Sequence, residues 1–383
     1  MRPVIALAVL ALASGCAGRS EPPAPASAPP AVAPVAEAAT PTPAEVLPIR
    51  GDGPPLPAAS TILTRIAFGS CAEETLPIPI MGALATLAPD LFVWVGDNVY
   101  GDAEAGDMAL PELKQAYADM AMNAFFSAFT MGTPMLAVWD DHDYGLNDAG
   151  GDFAGKARAE RLFETFWRES SLGDERPGAY GARIFGPPGR RVQVILLDTR
   201  FFRSPLRRSD VPNAQGYRPY LPDTDPSKTM LGEAQWSWLA QELRKPAEIR
   251  LVVSSVQVLS DGHPVEGWRT LPLERARLLR TLDESGAGGV VLVSGDRHFG
   301  ALYRRTGRGP PLHELTASSL NKPVPATQEQ APGQIGATYA QENFGLVEID
   351  WERRQLTLSL RGMDGAAERA LPLRFADVGV RSD

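Results

Sequence analysis

One stretch decides how this sequence is interpreted: Trp139-Asp140-Asp141-His142-Asp143-Tyr144-Gly145-Leu146-Asn147-Asp148. It continues the apolar run 135–139, which has the length of a strand and is apolar on both faces, as is typical of a strand covered by other layers. Polar side chains that directly follow such a strand lie at the sheet edge where open α/β folds bind ligands. The stretch therefore predicts a central strand that ends in a functional site.

The same arrangement recurs after three other apolar runs, 64–70, 91–95 and 290–294. The clusters that end these runs are Gly69-Ser70-Cys71, Gly96-Asp97-Asn98-Val99-Tyr100 and Ser294-Gly295-Asp296-Arg297-His298. Taken singly, each has a simpler interpretation: a buried cysteine is often a small hydrophobe, Gly-Asp is often a turn, and an aspartate often caps a helix. Together they would bring carboxylates so close that the charges repel unless cations intervene, which favours a metal site.

The types of ligand predict two unlike metals. A thiolate and a phenolate around a carboxylate suit a transition metal, and phenolate favours ferric iron, whereas aspartate and asparagine oxygens suit calcium, magnesium or manganese. Asp97, at the tip of a central strand, is the natural bridge because a carboxylate has two oxygens and four lone-pair directions.

The remaining pattern predicts a layered α/β domain, because apolar runs of strand length alternate with amphipathic segments of helix length. Further central strands are predicted at 192–197 and 250–255. Helices are predicted at 110–129, 154–168, 233–244 and 273–284. Shorter strands follow at 301–305, 312–317, 346–350 and 355–360, the last two as an antiparallel hairpin.

Composition excludes several classes of protein. The chain has 383 residues, 44% of them apolar, which argues against wholesale disorder. With 37 basic and 46 acidic side chains, the net charge is -9, so a broad nucleic-acid-binding face is not expected. A Gly-X-Ser-X-Gly elbow is absent from the sequence, which disfavours a serine hydrolase.

The N-terminal region indicates export. Residues 1–16 have the charge and short apolar run of a signal peptide, and Leu12-Ala13-Ser14-Gly15-Cys16 resembles the lipobox of bacterial lipoproteins. An ordinary secretory signal cleaved near Ala17 is the alternative. Residues 17–59 are rich in proline and alanine and are predicted to be a disordered tether, followed by one domain at 60–383. We expect a monomer, lipid-anchored in the bacterial periplasm, at the outer membrane or at the cell surface.

In this order, the four clusters resemble the motifs of the alkaline phosphatase D (PhoD-type) family of metallophosphoesterases. The resemblance implies a four-layer αββα sandwich of the metallophosphatase type. It also implies hydrolysis of phosphate monoesters or diesters at alkaline pH, with Fe3+ and one or two Ca2+ ions as cofactors and Mn, Mg or Zn as possible substitutes.

Carried onto this sequence, the resemblance assigns the iron site to four residues: Cys71, Asp97, Tyr100 and His298. Asp97 would bridge to calcium held by Asp296 and an asparagine, for which Asn147 is the candidate. Asp140 and Asp141 remain alternatives, either as metal ligands or as residues that orient the metal ligands.

The candidate catalytic residues are His142, Asp141 and Arg297. His142 resembles the histidine that hydrogen-bonds the leaving oxygen, although it could equally orient a ligand. Arg297 and Arg200 are candidate phosphate contacts, and Arg200 could instead form a structural ion pair.

Two other functions stay open. The membrane tether is also consistent with a phospholipase-like or wall-polymer phosphodiesterase. A protein of a different class, a non-catalytic surface lipoprotein that binds ligands, would be expected to have lost ligands, and all the expected ones are present. Trp268 is interpreted as a loop aromatic that caps the core, with packing against the organic part of a substrate as the alternative, and His313 is interpreted as structural.

Overall fold

Two six-stranded mixed sheets form the centre of the protein in its computed structural model. The structure describes residues 45–103, 106–173, 176–213, 216–324 and 329–380. The first sheet has the strand order β12-β11-β10-β1-β2-β3 and the second has the order β4-β5-β6-β7-β9-β8. The strands are β1 Arg65–Gly69, β2 Leu91–Val95, β3 Met135–Val138, β4 Gly181–Phe185, β5 Val192–Leu197, β6 Ile249–Ser254, β7 Val290–Ser294, β8 Gly300–Arg305, β9 Leu312–Ala317, β10 Phe344–Asp350, β11 Gln355–Arg361 and β12 Ala367–Arg374.

The helices lie in connections between strands. They are α1 Ile80–Leu87, α2 Pro111–Met122, α3 Ala124–Thr130, α4 Asp141–Tyr144, α5 Lys156–Trp167, α6 Gly232–Glu242 and α7 Pro272–Glu284. Five of these seven helices of the described chain occupy connections between parallel strands of one sheet, and α4 and α5 lie in the connection from the first sheet to the second. Short 3-10 turns lie at Arg168–Ser171, Trp268–Thr270 and Phe375–Val378. Among the described residues, no helix combines the length and the apolar character that crossing a membrane requires.

Alternate residues of a single strand belong to different hydrophobic cores, which shows how the layers stack. In β6, Leu251 and Val253 belong to the large core shared with the first sheet, whereas Val252 belongs to the core beneath α6 and α7. On β2, Trp94 packs at tilted angles against Phe126 of α3 and Trp167 of α5. Helices therefore cover the outer face of each sheet, and the predicted four-layer αββα sandwich is confirmed.

The parallel strands of both sheets end at one common edge. β1, β2 and β3 run parallel, and so do β5, β6, β7 and β9. Every predicted cluster thus emerges at the same end of the sandwich.

Most predicted elements are confirmed to within one or two residues, with one correction among the helices. The predicted helix 110–129 is two helices, α2 and α3, separated at Asn123. The Asn123 side chain accepts hydrogen bonds from the backbone N–H groups of Phe125 and Phe126, so it caps a new helix start. The sequence pattern did not predict α1, β4 and β12.

The N-terminal boundary of the folded unit lies earlier than expected. The compact unit begins at Val46 rather than at residue 60. Leu47 and Leu56 pack against the core, and the buried Arg50 donates a hydrogen bond to Ser170 at 2.9 Å. A proline-rich segment can pack in this way because an extended chain still presents its apolar and charged side chains. The predicted signal peptide and the tether up to residue 44, with Cys16, lie outside the described residues.

Candidate metal centre

Backbone strain marks the loops that carry the predicted ligands. Cys71, Asp97, Asp296 and His298 have φ values of 58°, 47°, 65° and 56°. This left-handed region is unfavourable for residues with a Cβ, and such residues concentrate at functional sites. Gly96, at φ 91°, lets its loop approach β3, since a Cβ there would lie 2.5 Å from the Cβ of Asp140.

One donor group contains a thiol, a carboxylate and an imidazole. Ligand atoms of Cys71, Asp97 and His298 all lie within 4.8 Å of one another. Cys71 Sγ is 3.3 Å from Asp97 Oδ2 and 3.1 Å from the hydroxyl of Ser318. Tyr100 joins the group, because its hydroxyl is 3.5 Å from His298 Nε2. The structure thus brings together the four residues expected at the iron site.

The orientation of His298 suits a metal ligand. Its Nδ1 lies 2.5 Å from the carbonyl oxygen of Lys322, an acceptor that fixes the proton on Nδ1. Nε2 is then the nitrogen with the free lone pair, and it is the one that faces Tyr100. A backbone acceptor of this kind commonly orients a histidine that binds a metal.

A second donor group consists only of carboxylates. Ligand oxygens of Asp97, Asp140, Asp141 and Asp296 lie within 4.8 Å of one another, and Asp97 belongs to this group, to the thiol group and to a third group with His142. Asp97 Oδ1 and Asp140 Oδ2 are buried without a hydrogen-bond partner among the described residues. Burying such oxygens unpaired is costly, so these oxygens fit a bound cation.

Burial governs the protonation of these donors. Burial and then the Asp97 carboxylate raise the pKa of the Cys71 thiol well above its usual value. Burial and the neighbouring Asp141 likewise raise the pKa of Asp97, and burial brings the pKa of Asp296 to about 7. A cation would reverse these shifts by stabilising the ionised donors, so metal binding should release protons.

Arg200 is a buried counterion of the cluster. It is fully buried, and its guanidinium donates to Asp140 and to Glu266 at 2.6 Å each. Its backbone N–H donates to Asp198 at 2.8 Å. The structural ion pair considered for Arg200 is the observed one, and Asp140 is correspondingly tied to Arg200 and to Ser255.

His142 lies beside the carboxylates with a partner of its own. Its Nδ1 is 2.7 Å from Asp102 Oδ2, and the centroid of its ring lies 4.4 Å from that of Tyr100. Burial lowers the pKa of His142, but the carboxylates of Asp141, Asp97 and Asp102 outweigh it and raise that pKa to about 11. Without a metal, His142 is therefore an imidazolium, a proton donor at the edge of the cluster.

The predicted Asn147 does not join the buried donors. It is exposed and lines a surface groove with Arg208 and Tyr220. Its neighbour Asp148, at φ 56°, turns the loop and places its own carboxylate within 4.8 Å of those of Asp141 and Glu266. The assignment of Asn147 as the asparagine ligand stays a prediction, and the inward side chain of this loop is an aspartate.

Arg297 lies at the rim of the cluster. Its guanidinium is 4.0 Å from Asp296 and 3.8 Å from Glu329, and it lies 5.2 Å from the ring of Phe299. These weak contacts leave it near the donors without fixing it to one carboxylate.

The two predicted core residues are buried. Trp268 is fully buried and donates its indole N–H to Ser254 at 3.0 Å, and His313 is 3% exposed within β9. Both interpretations are confirmed.

Sequence reasoning missed several residues around the cluster. They are the His142 partner Asp102, the Arg200 partner Glu266, Ser318 beside the thiol, and Lys322, whose Nζ lies 3.7 Å from the centroid of the Tyr100 ring. Only Ser318 carried a signal, since it directly follows the strand run 312–317. The others sit in loops, where no periodicity indicates a direction.

The fold is of the metallophosphatase type, and the donor set is suited to hold metal ions. Residues 177–360 match the model of the PhoD-like phosphatase family, which confirms the resemblance indicated by the motifs. The matched range contains Asp296 and His298, whereas Cys71 and Asp97 precede it.

Known proteins with similar sequences and folds agree with this class. The chain is 21% identical over 280 residues to alkaline phosphatase D of Bacillus subtilis (strain 168), covering 64% of this chain and 47% of that protein. The chain thus spans about half the length of this relative. A solved structure of PhoD matches with a TM-score of 0.60 at 17% identity, over 86% of this chain and 70% of that one.

A purple acid phosphatase from yellow lupin (Lupinus luteus) seeds shares the fold, with a TM-score of 0.55 at 10% identity over 83% of this chain and 55% of the other. GAP50, the anchor in the inner membrane complex of Plasmodium, matches with a TM-score of 0.53 at 14% identity, over 82% of this chain and 89% of that one.

Proposed function

We propose that the protein is a metal-dependent phosphoric ester hydrolase that acts on monoesters, diesters or both. The observation that carries this proposal is the position of Asp97. Its carboxylate belongs both to the set of donors that contains the Cys71 thiol and to the set of donors that consists only of carboxylates. A carboxylate shared by two donor groups would be suited to hold a pair of unlike metals.

Two metals held in this way supply charge neutralisation for the phosphoryl oxygens and a water activated for attack. We propose Fe3+ in the group of Cys71, Asp97, Tyr100 and His298, and Ca2+ among the carboxylates that include Asp97 and Asp296. The soft thiol and the phenol support the first assignment, and the oxygen-only set supports the second.

The protein's own residues supply the remaining functions. His142, held by Asp102, is placed to hydrogen-bond the leaving oxygen. Arg297, weakly tied at the rim, is placed to contact a phosphate oxygen.

Hydrolysis of p-nitrophenyl phosphate and of its bis ester tests the proposal, with metal-loaded protein across an alkaline pH series. We expect turnover that chelation abolishes and that Asp97→Asn removes, while the control His313→Gln, far from the donors on β9, retains it. Metal binding without turnover on either ester would instead support the non-catalytic binding protein.

Metal identity has its own test. We expect iron by elemental analysis and a visible phenolate-to-iron absorption band that Tyr100→Phe removes. Colourless, active protein that contains only zinc would overturn the iron assignment while leaving hydrolysis standing.

We also propose export and lipid anchoring through Cys16, which the lipobox-like sequence supports. Cys16→Ser should release the protein from bacterial membranes, and continued lipid labelling of that variant would count against the proposal.

A further inference from the structure

Glu329 is a buried glutamate that faces the guanidinium group of Arg297. Oε2 of Glu329 lies 3.8 Å from Nη2 of Arg297, and Nη1 of the same guanidinium lies 4.0 Å from Oδ2 of Asp296. Glu329 is 5% exposed, and its Oε2 accepts no hydrogen bond from the described residues. A buried carboxylate oxygen is costly unless a nearby cation compensates its charge. Arg297 supplies that charge, so the two side chains form a pair.

A buried hydrogen-bond network fixes the other carboxylate oxygen of Glu329. Its Oε1 accepts hydrogen bonds from the hydroxyl groups of Ser260 and Tyr303, the second of them at 2.7 Å. Gln257 donates to the Tyr303 hydroxyl at 3.1 Å and to the Thr316 hydroxyl at 2.9 Å. All four of these side chains are buried. Because they come from β8, β9 and the loop that follows β6, they hold the Glu329 carboxylate in one orientation.

The loop that carries Ser260 also leaves room for the Glu329 side chain. A Cβ added to Gly262 would lie 2.8 Å from Cγ of Glu329 and 2.9 Å from the Cβ of Ala331. Contacts this short would force one of these groups to move. The backbone N–H of Gly262 donates to the Ser260 hydroxyl at 3.2 Å. The same turn thus admits Glu329 and orients a hydroxyl that binds it.

Two further neighbours of Arg297 carry no charge. The guanidinium lies 5.2 Å from the ring of Phe299, which is fully buried. Burial, followed by Arg297 and Arg269, lowers the pKa of His263 to about 2, so its imidazole is neutral. Neither neighbour can replace the negative charge of Glu329.

Metal binding would leave Glu329 as the carboxylate that holds Arg297. Asp296 is a proposed calcium ligand, and a cation on its carboxylate would offset the attraction between that carboxylate and the guanidinium. Glu329 belongs to none of the donor groups found among the described residues. Its charge therefore stays available to Arg297 when the donor groups are occupied.

We propose that Glu329 is a positioning residue that holds the guanidinium of Arg297 against a phosphate oxygen of the substrate. The inference rests on the proposed function, in which Arg297 is a phosphate contact. Glu329 does not touch the phosphate itself, since both groups are anionic. Its effect passes through Arg297, whose planar guanidinium has enough N–H donors to serve a carboxylate and a phosphate together.

The dissociation constant of inorganic phosphate for the metal-loaded full chain tests this, measured by isothermal titration calorimetry. Glu329→Gln keeps the shape of the side chain but removes the charge that attracts Arg297. We expect this variant to bind phosphate about 10-fold more weakly, because displacing a binding group by about 1 Å can cost up to about 100-fold. Gly262→Ala keeps the charge but displaces Glu329, so it should weaken binding in the same direction even if Glu329→Gln does not fold.

A double variant shows whether Glu329 acts through Arg297. Arg297→Gln should itself bind phosphate more weakly than the parent. Adding Glu329→Gln should cause no further loss, since the group that Glu329 positions is already absent. A merely structural role would instead multiply the two losses. The value of kcat/KM for p-nitrophenyl phosphate should follow the same pattern.

Glu274→Gln is the matched control. Glu274 is 6% exposed and its carboxylate lies 3.6 Å from the Arg277 guanidinium, but it belongs to α7 and to none of the donor groups among the described residues. Its substitution should leave the Kd of phosphate unchanged, even where it lowers the melting temperature. Equal losses in the two glutamine variants, multiplied losses in the double variant, or a parent that binds no phosphate would overturn the proposal. The expected pattern of phosphate binding without hydrolysis of either ester would contradict the proposed function and leave the positioning role of Glu329 standing.

Discussion

Replacing Asp97 by asparagine should stabilise the metal-free protein while removing its response to metal. The asparagine side chain would keep the shape of the original one, and it tolerates the left-handed backbone conformation of this position, φ 47°, because asparagine is enriched there. What changes is the charge. Asp97 lies with Asp140, Asp141 and Asp296 in a group whose ligand oxygens are within 4.8 Å of one another.

The magnitude follows from that distance. Two unit charges 4.8 Å apart repel by about 3.5 kcal/mol at an effective dielectric constant of about 20. The attraction of His142 and the raised pKa of Asp97, caused by burial and by Asp141, relieve part of this repulsion. We therefore expect a gain of about 1–3 kcal/mol in the free energy of unfolding of the chelated variant.

Metal should stabilise the parent and have almost no effect on the stability of the variant. A cation present at about 100 times its dissociation constant stabilises the parent by about 2.7 kcal/mol. The variant lacks the carboxylate common to both donor groups, so we expect almost none of this stabilisation. Urea unfolding in chelator and with calcium, manganese or iron measures both differences.

Asp198→Asn provides the matched control. Asp198 is also fully buried, but its carboxylate accepts hydrogen bonds from the backbone of Ala179, Arg200 and Phe201 at 3.0, 2.8 and 2.9 Å. Its replacement should cost about 1–3 kcal/mol with or without metal, because an NH2 group takes the place of one acceptor oxygen and leaves a backbone N–H donor unpaired. If Asp97→Asn behaved like Asp198→Asn, the carboxylate cluster would be an ordinary hydrogen-bonded one and the reasoning would fail.

Three further predictions concern single side chains. Arg200→Met should lower the free energy of unfolding by about 3–5 kcal/mol, because it leaves Asp140 buried without its cation and Glu266 with Arg203 alone. A loss below about 1 kcal/mol in urea unfolding would show that these acids are neutral. Asp102→Asn should lower bis-p-nitrophenyl phosphate hydrolysis by about 10- to 100-fold, because the amide oxygen of asparagine still accepts from His142 but lacks the negative charge of the carboxylate. Since Asp102 is 39% exposed, the melting temperature of the variant should stay near that of the parent, and an unchanged rate would exclude the dyad. His313→Gln should make the free energy of unfolding less dependent on pH between about 6.5 and 4. Burial and then Arg304 lower the pKa of His313 to about 4 in the folded parent, so its contribution to stability is fully present above the unfolded pKa of about 6.5 and is lost as pH falls towards 4. Identical pH profiles of the two proteins would contradict this.

The central strands could be predicted from the sequence because their burial is two-sided. All five residues of β2 and all six of β5 are buried, so each appears as an uninterrupted apolar run or nearly so. β4 and β12 lie at sheet edges and are partly exposed, and β12 contains Pro372. Their sequences carry no such run, and only pairing with a neighbouring strand makes them strands.

The donor set could be predicted for the same topological reason. Cys71, Asp97 and Asp296 closely follow buried parallel strands, so the position of each strand fixes the position of its ligand. Asn147 and Asp148 lie further along a loop, and there the left-handed turn at Asp148 decides which side chain faces inward. A pattern of residue types does not encode that turn.

The candidate site combines several features that destabilise the folded protein. Cys71, Asp97, Asp296 and His298 hold strained backbone conformations, and the carboxylates among them are buried close together with oxygens unpaired. Each feature costs of order 1–3 kcal/mol. The aromatic packing of Trp94 and the other core residues has to supply that stability, because the cluster contributes none without a cation. The metal-free protein should therefore open first at the loops that follow β1, β2 and β7, and bound metal should protect the backbone amides of those loops from hydrogen exchange before it protects any others.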